Sequence, residues 1–280
     1  MAHLYYRNDD GGPGYGKDSV VHFTAPADGE YIALIRDVQG LGGEDYSYRL
    51  TVRHPRPDFR LTINPRNPNV PVGGAIPLTV TAFRMDGFDG PIDVALQDLP
   101  RGLHATSGVI GRGQVSTTIA LSADADAALT AAVPLKATGK AGALEHAASP
   151  EDRLKLISLM PRPDLVMTAE TREVTLEPGA TAEIAVSIAR QPDFRGRVPV
   201  EVRNLPPRVR VLDVGLNGVL ITEDESRRSF TIEALPTAES VDQLIYVSGT
   251  VETRSGQPSS YASPEAIRLH VKPKVAVAAR

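Results

Sequence analysis

Apolar and polar side chains alternate with a period of two residues along much of the chain. In the segment 46–52, four apolar side chains share one face while Ser47, Arg49 and Thr51 share the other. Successive side chains of a β-strand point to opposite faces, so each such segment has one face to bury against a second sheet. This pattern predicts an all-β protein built from β-sandwiches. The same alternation occurs at Phe59/Leu61/Ile63, Leu78/Val80/Ala82, Ile92/Val94/Leu96, Val115/Thr117/Ile119, Ile184/Val186/Ile188, Val198/Val200/Val202 and Ile267/Leu269/Val271.

One segment departs from this alternation. Ala123 to Ala132 is rich in alanine and carries Asp124 and Asp126 near its start. Alanine favours a helix, and acidic residues favour a helix N-terminus. We therefore predict one short helix there, in a crossover connection of a sandwich.

A series of short motifs occurs twice, in the same order. The two copies are separated by 105 or 106 positions, which is a typical length for an immunoglobulin-like sandwich. We therefore predict two homologous domains, residues 55–160 and 161–280. The repeated motifs are Pro55-Arg56-Pro57-Asp58 with Pro161-Arg162-Pro163-Asp164, Gly74-Ala75 with Gly179-Ala180, Phe88 and Gly90 with Phe194 and Gly196, and Leu99-Pro100 with Leu205-Pro206.

Residues 1–54 belong to neither repeat. They contain four short alternating segments, centred near Leu4–Tyr6, Val20–Phe23, Tyr31–Asp37 and Tyr46–Val52. About 50 residues in so few strands make a marginal hydrophobic core. We expect a partial β-sandwich domain whose uncovered faces either pack against the first repeat or recruit a strand from another molecule.

Motifs within residues 4–54 resemble the second half of the bacterial pre-peptidase C-terminal (PPC) domain. They are Asn8-Asp9-Asp10-Gly11-Gly12, Lys17-Asp18-Ser19, Phe23-Thr24-Ala25-Pro26-Ala27-Asp28-Gly29-Glu30-Tyr31 and Tyr46-Ser47-Tyr48-Arg49-Leu50. That family is a β-sandwich appended to secreted proteases and other large exported bacterial proteins. The resemblance implies an extracellular, cell-surface or periplasmic location. It also implies that the first half of the domain is missing, so we expect a truncated start.

The two repeats resemble immunoglobulin-like domains of large surface proteins. Pro178-Gly179-Ala180 followed by Asn204-Leu205-Pro206-Pro207 also resembles the NEW3-type sandwich of glycosidases. The chain has no cysteine and no tryptophan, so it lacks the inter-sheet disulfide and the core indole of antibody domains.

Charge and composition narrow the range of functions. The 30 basic and 34 acidic residues nearly cancel and form no run of like charge, which argues against nucleic acid or an anionic membrane as a partner. No run approaches the roughly 20 apolar residues that span a bilayer, and residues 1–15 lack the features of a signal peptide.

No catalytic motif is present in the sequence. The six histidines are far apart and form neither H-x-H nor H-E-x-x-H spacing, and there is no G-x-S-x-G or S-x-x-K motif and no phosphate-binding glycine loop. The sequence therefore predicts that the chain is not an enzyme and needs no cofactor.

Oxygen-bearing side chains cluster in residues 8–18. Asp9, Asp10 and Asp18 are candidate calcium ligands, although their order does not match an EF-hand. A glycine-rich hairpin, in which such side chains cap their own backbone, explains the same residues and is favoured. Segment 85–90 has the same two interpretations. The turn is again favoured there, because the second repeat carries fewer carboxylates at 192–196.

Six of the eight tyrosines lie in the first 50 residues, which is typical of a carbohydrate- or protein-binding face. Core packing of alternating strands is the competing explanation for Tyr46 and Tyr48. Together these features predict a non-catalytic spacer or interaction segment of a larger secreted or surface bacterial protein, with protease association implied by the PPC resemblance. The alternative is a carbohydrate- or matrix-binding accessory module. The expected partners are other domains of the parent protein, and a polysaccharide or an extracellular protein.

Chelation distinguishes the calcium and turn interpretations of Asp9, Asp10 and Asp18. A ligand stabilises only the state that binds it, so a calcium site would make the melting temperature of residues 1–54 fall on addition of chelator while both repeats stay unchanged. The favoured turn predicts identical melting curves with and without chelator, measured by calorimetry.

Overall fold

Every regular element in the structure, a computed structural model, is a β-strand. The structure describes residues 6–12, 15–148, 155–212, 214, 218–252 and 258–273, and among these residues no helix is present. The predicted all-β fold class is confirmed.

Within the described part of the chain, eleven strands precede the second copy of the Pro-Arg-Pro-Asp motif and ten follow it. The first set is β1 (Asp58–Asn64), β2 (Asn69–Pro71), β3 (Ala75–Met85), β4 (Ile92–Gln97), β5 (Leu103–Ala105), β6 (Gly108–Ile110), β7 (Ser116–Ala123), β8 (Val133–Pro134), β9 (Lys136–Ala141), β10 (Leu144–Ala147) and β11 (Leu156–Met160). The second set is β12 (Leu165–Ala169), β13 (Glu173–Leu176), β14 (Thr181–Arg190), β15 (Val198–Arg203), β16 (Val209–Val211), β17 (Val219–Ile221), β18 (Arg227–Ala234), β19 (Val241–Glu252), β20 (Pro258–Ala262) and β21 (Ile267–Val271).

The two sets of strands have the same topology. One sheet has the order β1-β3-β7-β5 in the first repeat and β12-β14-β18-β16 in the second. In the facing sheets, β9-β4-β6 corresponds to β19-β15-β17. A parallel pair closes each repeat, β2 with β11 and β13 with β21. Each repeat is therefore a β-sandwich of the same design.

The chain divides into two compact units. The first comprises Met1–Arg60 and Phe83–Asp89, and the second comprises Leu61–Ala82 and Gly90–Arg280. Most of both repeats lies in the second unit. The domain boundaries expected after residues 54 and 160 stay a prediction.

Apolar positions that alternate in the sequence form the core of each sandwich. In the first repeat Leu61, Leu78 and Ile92 are fully buried, and in the second repeat Ile184 and Leu269 are fully buried. At roughly 25 cal/mol per Å² of apolar surface, burial of these faces is the main force that holds each pair of sheets together. Val115 is an exception, because it precedes β7 and is 69% exposed.

The short helix predicted at Ala123–Ala132 is wrong. β7 ends at Ala123, a turn follows in which the Ala127 amide donates to the Asp124 carbonyl at 3.1 Å, and the chain continues without regular structure to β8. Alanine propensity contributes well under about 1 kcal/mol per residue, so it does not nucleate a helix that has no apolar face to pack.

The alignment of the repeats shifts by one residue at the glycine motif. Gly73, rather than Gly74, corresponds to Gly179. Both have positive φ, 74° and 91°, and their amides donate to Ala123 and Ala234, which end equivalent strands. Glycine adopts positive φ readily because it has no Cβ, so the need for positive φ determines which position of each repeat is the equivalent glycine.

The strands predicted within residues 1–54 are not found among the described residues of that segment, where only an isolated bridge joins Gly12 to Gly16. Leu4 and Tyr5 lie outside the described residues. The apolar side chains of the predicted faces are exposed: Tyr31 44%, Ile35 47%, Tyr46 54%, Tyr48 75% and Leu50 54%. The alternation is present, but a strand needs a neighbouring strand to form its ladder.

Candidate functional sites: the Asp86 cluster and the joint between the repeats

A tight turn at the end of β3 presents Asp86. Asp86 and Gly87 both have positive φ, 50° and 79°, a conformation that glycine and aspartate tolerate better than most residues. Behind the turn, the ring of Phe88 packs against the fully buried Phe59, with ring centroids 5.4 Å apart. This packing holds the turn in place within the first unit.

The Asp86 carboxylate joins three segments of the first unit. Its Oδ2 forms an ion pair with Arg53 and accepts the main-chain amide of Arg56 at 2.8 Å. Its Oδ1 accepts the hydroxyl of Tyr15 at 2.8 Å. The side chain is 5% exposed, and its hydrogen bonds to Arg53 and then to the Arg56 amide hold its pKa well below the usual range.

A shallow cleft of about 350 Å³ lies beside this cluster, with Tyr15, Arg53, Arg56 and Arg60 among its lining residues. Asp86 neutralises Arg53 there and both carboxylate oxygens are in use, so Asp86 acts as a clamp. This arrangement supports the turn interpretation of segment 85–90. The second repeat has Pro192 where the first has Asp86, so the clamp belongs to the first unit alone.

The candidate calcium ligands Asp9, Asp10 and Asp18 are exposed. Nearby, Asn8 Oδ1 accepts the Val20 amide at 3.2 Å, as in a side-chain-capped loop. Among the described residues, no three histidine, aspartate or glutamate side chains form a group that could hold a metal ion. Calcium binding by Asp9, Asp10 and Asp18 stays a prediction.

The N-terminal tyrosines are half exposed rather than buried. Tyr46 and Tyr48 are 54% and 75% exposed, so the core explanation for them is wrong. Tyr6, Phe23 and Tyr31 form an edge-to-face row with centroid separations of 5.3 and 4.9 Å. Aromatic pairs favour this geometry, and the row leaves part of each ring accessible.

The joint between the repeats is formed by Asn204 and Tyr246. Asn204 follows β15 with a positive φ of 63°, which aims its side chain at β7 of the first repeat. Its Oδ1 accepts the Thr118 amide at 2.7 Å, and its Nδ2 donates to the Thr118 carbonyl at 2.8 Å. One carboxamide therefore satisfies both main-chain groups of Thr118, as a neighbouring strand would.

Tyr246 is the fully buried part of the joint. It lies on β19, packs with Ala120 of the first repeat and Ala262 of the second, and donates its hydroxyl to the Ser107 carbonyl at 2.8 Å. Burial raises the pKa of the Tyr246 phenol above its ordinary value of 10.0, while a hydrogen bond with Thr106 opposes that shift. The part of the joint's stability that the neutral Tyr246 phenol contributes is therefore fully present below the ordinary pKa of 10.0 and is lost as the pH rises through the folded-state pKa.

The first repeat carries different side chains at the equivalent positions. The Leu-Pro motifs align Asp98 with Asn204, and both have positive φ, 55° and 63°. The residue just before each pairs across the sheet with Lys136 in the first repeat and with Tyr246 in the second. Asp98 and Lys136 form an ion pair at 2.7 Å in which both side chains are more than half exposed.

The sequence pointed to the Asn204 motif but not to its role. Asn-Leu-Pro was visible as part of a repeat, whereas Thr118 lies 86 positions away, in the other repeat. The Asp86 clamp was missed for the same reason, since Arg53 is 33 positions distant.

No protein-family model matches the chain, and no curated protein matches it. Within the part of the chain that the structure describes, no helix is long and apolar enough to cross a membrane.

Several solved structures resemble the chain. Domains 4 and 5 of the S-layer protein SbsC share 15% identity over 50% of this chain and 66% of theirs, with a TM-score of 0.25. Domains 4–9 of SbsC share 11% over 78% and 32%, with a TM-score of 0.30. Fibronectin(III)-like modules of Clostridium thermocellum CbhA share 12% over 79% and 97%, with a TM-score of 0.23. The chain thus spans less than two thirds of both SbsC structures. None of these comparisons supports the PPC resemblance.

Replacing Asp86 with asparagine tests the clamp. At neutral pH we expect Asp86→Asn to lower the free energy of opening at the Arg56 amide, measured by hydrogen exchange, by about 1 to 3 kcal/mol, because charge-assisted bonds are lost. Since the folded pKa lies below the ordinary value of 3.8, the stabilisation is present above that value and is lost as the pH falls below it. The exposed Asp28→Asn is the control, and equal exchange in both variants would contradict the clamp.

Proposed function

We propose that the chain is a non-catalytic spacer and interaction segment of a larger secreted or surface bacterial protein. The observation that carries this proposal is the joint: Asn204 and Tyr246 of the second repeat hold main-chain groups of the first repeat. A spacer holds the regions at its two ends at a fixed distance and orientation only when its modules do not rotate about the linker between them.

The joint has the properties of a fixed contact. Thr118 is 5% exposed and Tyr246 is fully buried, so water does not compete for their hydrogen bonds. Each of the three bonds contributes about 0.5 to 1.5 kcal/mol net, and breaking one leaves a buried polar group unpaired at a larger cost. Gln243 Nε2 also donates to the Asn204 carbonyl, which fixes the residue that makes two of the bonds.

The linker supports the same conclusion. Met160 pairs with Pro71 in β2, and Pro163 is buried with its ring against Gly74. Proline fixes φ and narrows the range of backbone conformations open to the linker. Linker and joint therefore restrict the second repeat together.

The proposal also covers the cellular location of the protein and the type of larger protein to which the chain belongs. The motifs at residues 4–54 support a PPC-like segment, and with it an extracellular, cell-surface or periplasmic protein associated with a protease. The exposed faces of Tyr31/Ile35 and Tyr46/Tyr48/Leu50 are consistent with a sandwich half that requires further strands.

A second candidate function is a carbohydrate- or matrix-binding accessory module. The observation that favours it is the row of Tyr6, Phe23 and Tyr31, residues that are 50%, 43% and 44% exposed. Retention of the chain on cellulose, chitin or xylan, lost in Tyr31→Ala, would support this function. Equal elution of both proteins would remove it.

Distances between spin labels test the fixed joint. The chain has no cysteine, so single cysteines at the exposed Asp126 and Glu239 take labels without background reaction. We expect one narrow distance distribution, because the two repeats hold one orientation. Asn204→Ala with Tyr246→Phe should broaden it, since the hydrogen bonds across the joint are removed.

The matched control is Asp98→Ala, the position in the first repeat that corresponds to Asn204 and forms an ion pair with Lys136 of its own repeat. It should leave the distribution narrow. A broad distribution in the unsubstituted chain would contradict the proposal.

A further inference from the structure

A groove of about 400 Å³ lies on the second repeat, where β17 and β18 meet. Gly218, Ser229 and Thr231 line it, and Glu183 and Arg228 flank it. Nothing among the described residues of the chain fills this groove.

The groove corresponds to the surface of the first repeat that receives Asn204 and Tyr246. Leu78 pairs with Ile119 and Ile184 pairs with Phe230 at equivalent core positions, so Ser229 corresponds to Thr118. By the same register, Thr231 corresponds to Ala120, the joint's small apolar residue. The pairs Ile92–Ile110 and Val198–Ile221 likewise place Gly218 at the position of Ser107.

At the joint, Asn204 binds the main-chain amide and carbonyl of Thr118 in the first repeat. The second repeat presents the same two groups at Ser229. Ala185 lies opposite Ser229 in the sheet. The Ala185 amide donates to Thr171 Oγ1, and its carbonyl accepts the Glu170 amide, both on the side away from β18. Opposed residues of an antiparallel pair exchange both bonds or neither, so the amide and carbonyl of Ser229 point to the outer edge.

We propose that this groove docks a further β-sandwich module of the same kind as the two repeats. That module presents a side-chain carboxamide to the amide and carbonyl of Ser229, and a tyrosine hydroxyl to the Gly218 carbonyl. The inference rests on the proposed spacer function, because it extends the same joint by one module.

The side chains of the first repeat argue against a second copy of this chain as the occupant. A carboxamide donates and accepts, whereas the carboxylate of Asp98 only accepts and would face the Ser229 carbonyl without a proton to donate. Docking this face would also bury the Asp98–Lys136 ion pair, and desolvating both charges is costly. A module that carries asparagine and tyrosine avoids both costs.

A chain with three repeats tests the proposal. Pro161 and Pro273 occupy equivalent places, each two residues after a strand residue, Leu159 or Val271, that pairs with β2 or β13. A second copy of residues 162–273 placed directly after Pro273 therefore has the linker start of the natural joint. The core cluster of the second repeat is made of residues 165–271 alone, so the added copy brings all the side chains that fill its own core.

Spin labels report on the two joints separately. Labels at Asp126 and at Glu239 of the middle repeat measure the first joint, and labels at Asp224 of the middle repeat and Glu239 of the added copy measure the second. We expect both distributions to be equally narrow. Asn204→Ala with Tyr246→Phe in the added copy alone should broaden the second distribution at least about twofold and leave the first unchanged.

The outcomes separate this inference from the proposed function. If the second distance distribution is broad and does not change with those substitutions while the first is narrow, docking at the groove is overturned and the spacer function stands. Broad distributions at both joints would overturn both. Concentration-dependent association of the two-repeat chain, abolished by Thr231→Arg, would show that a second copy occupies the groove and would overturn the named occupant.

Discussion

The carboxamide of Asn204 on the main chain of Thr118 is the contact on which the relation between the two repeats depends. An edge strand leaves amide and carbonyl groups unpaired, and burying such groups without partners costs free energy. Asn204 supplies a donor and an acceptor at the spacing of a strand, and the ring of Tyr246 keeps water away. Two sandwiches with separate cores thereby become one continuous unit.

Two similar backbones acquire different roles through a few side chains. The positive-φ residue before each Leu-Pro motif is Asp98 in one repeat and Asn204 in the other. The first carries an exposed ion pair with Lys136, and the second spans a joint. The receiving surface is built from main-chain groups, which substitution does not remove. Which repeat can dock on the other therefore depends on the side chain at this position, Asp98 or Asn204.

The sequence predicted the structure correctly where a local pattern determines it. Period-two alternation identified Leu61, Ile184 and Leu269 as core positions, because burial of one strand face repeats every second residue. The alanine-rich segment after β7 was misassigned, since helix propensity without a packing face is too weak. The predicted strands of residues 1–54 failed because a ladder depends on a neighbour that alternation does not identify.

The sequence did not predict the contacts at the candidate sites, and the reason is different. The partners Thr118 and Asn204, like Arg53 and Asp86, are brought together by the tertiary fold, and each residue alone is typical of a turn or a surface. The glycine motif was displaced by one position because Gly73 and Gly74 are adjacent in sequence, and positive φ distinguishes them only in the structure.

Native-state hydrogen exchange at the Thr118 amide tests the central claim most directly. Among the described residues the acceptor for that amide is Asn204 Oδ1 across the joint, so its exchange reports opening of the joint, while the equivalent Ser229 amide points to the outer edge of its own sheet. A fixed joint predicts that Thr118 exchanges at least about a hundredfold more slowly than Ser229, after correction for intrinsic rates. Equal protection factors at the two amides would show that the repeats move independently and would contradict the account.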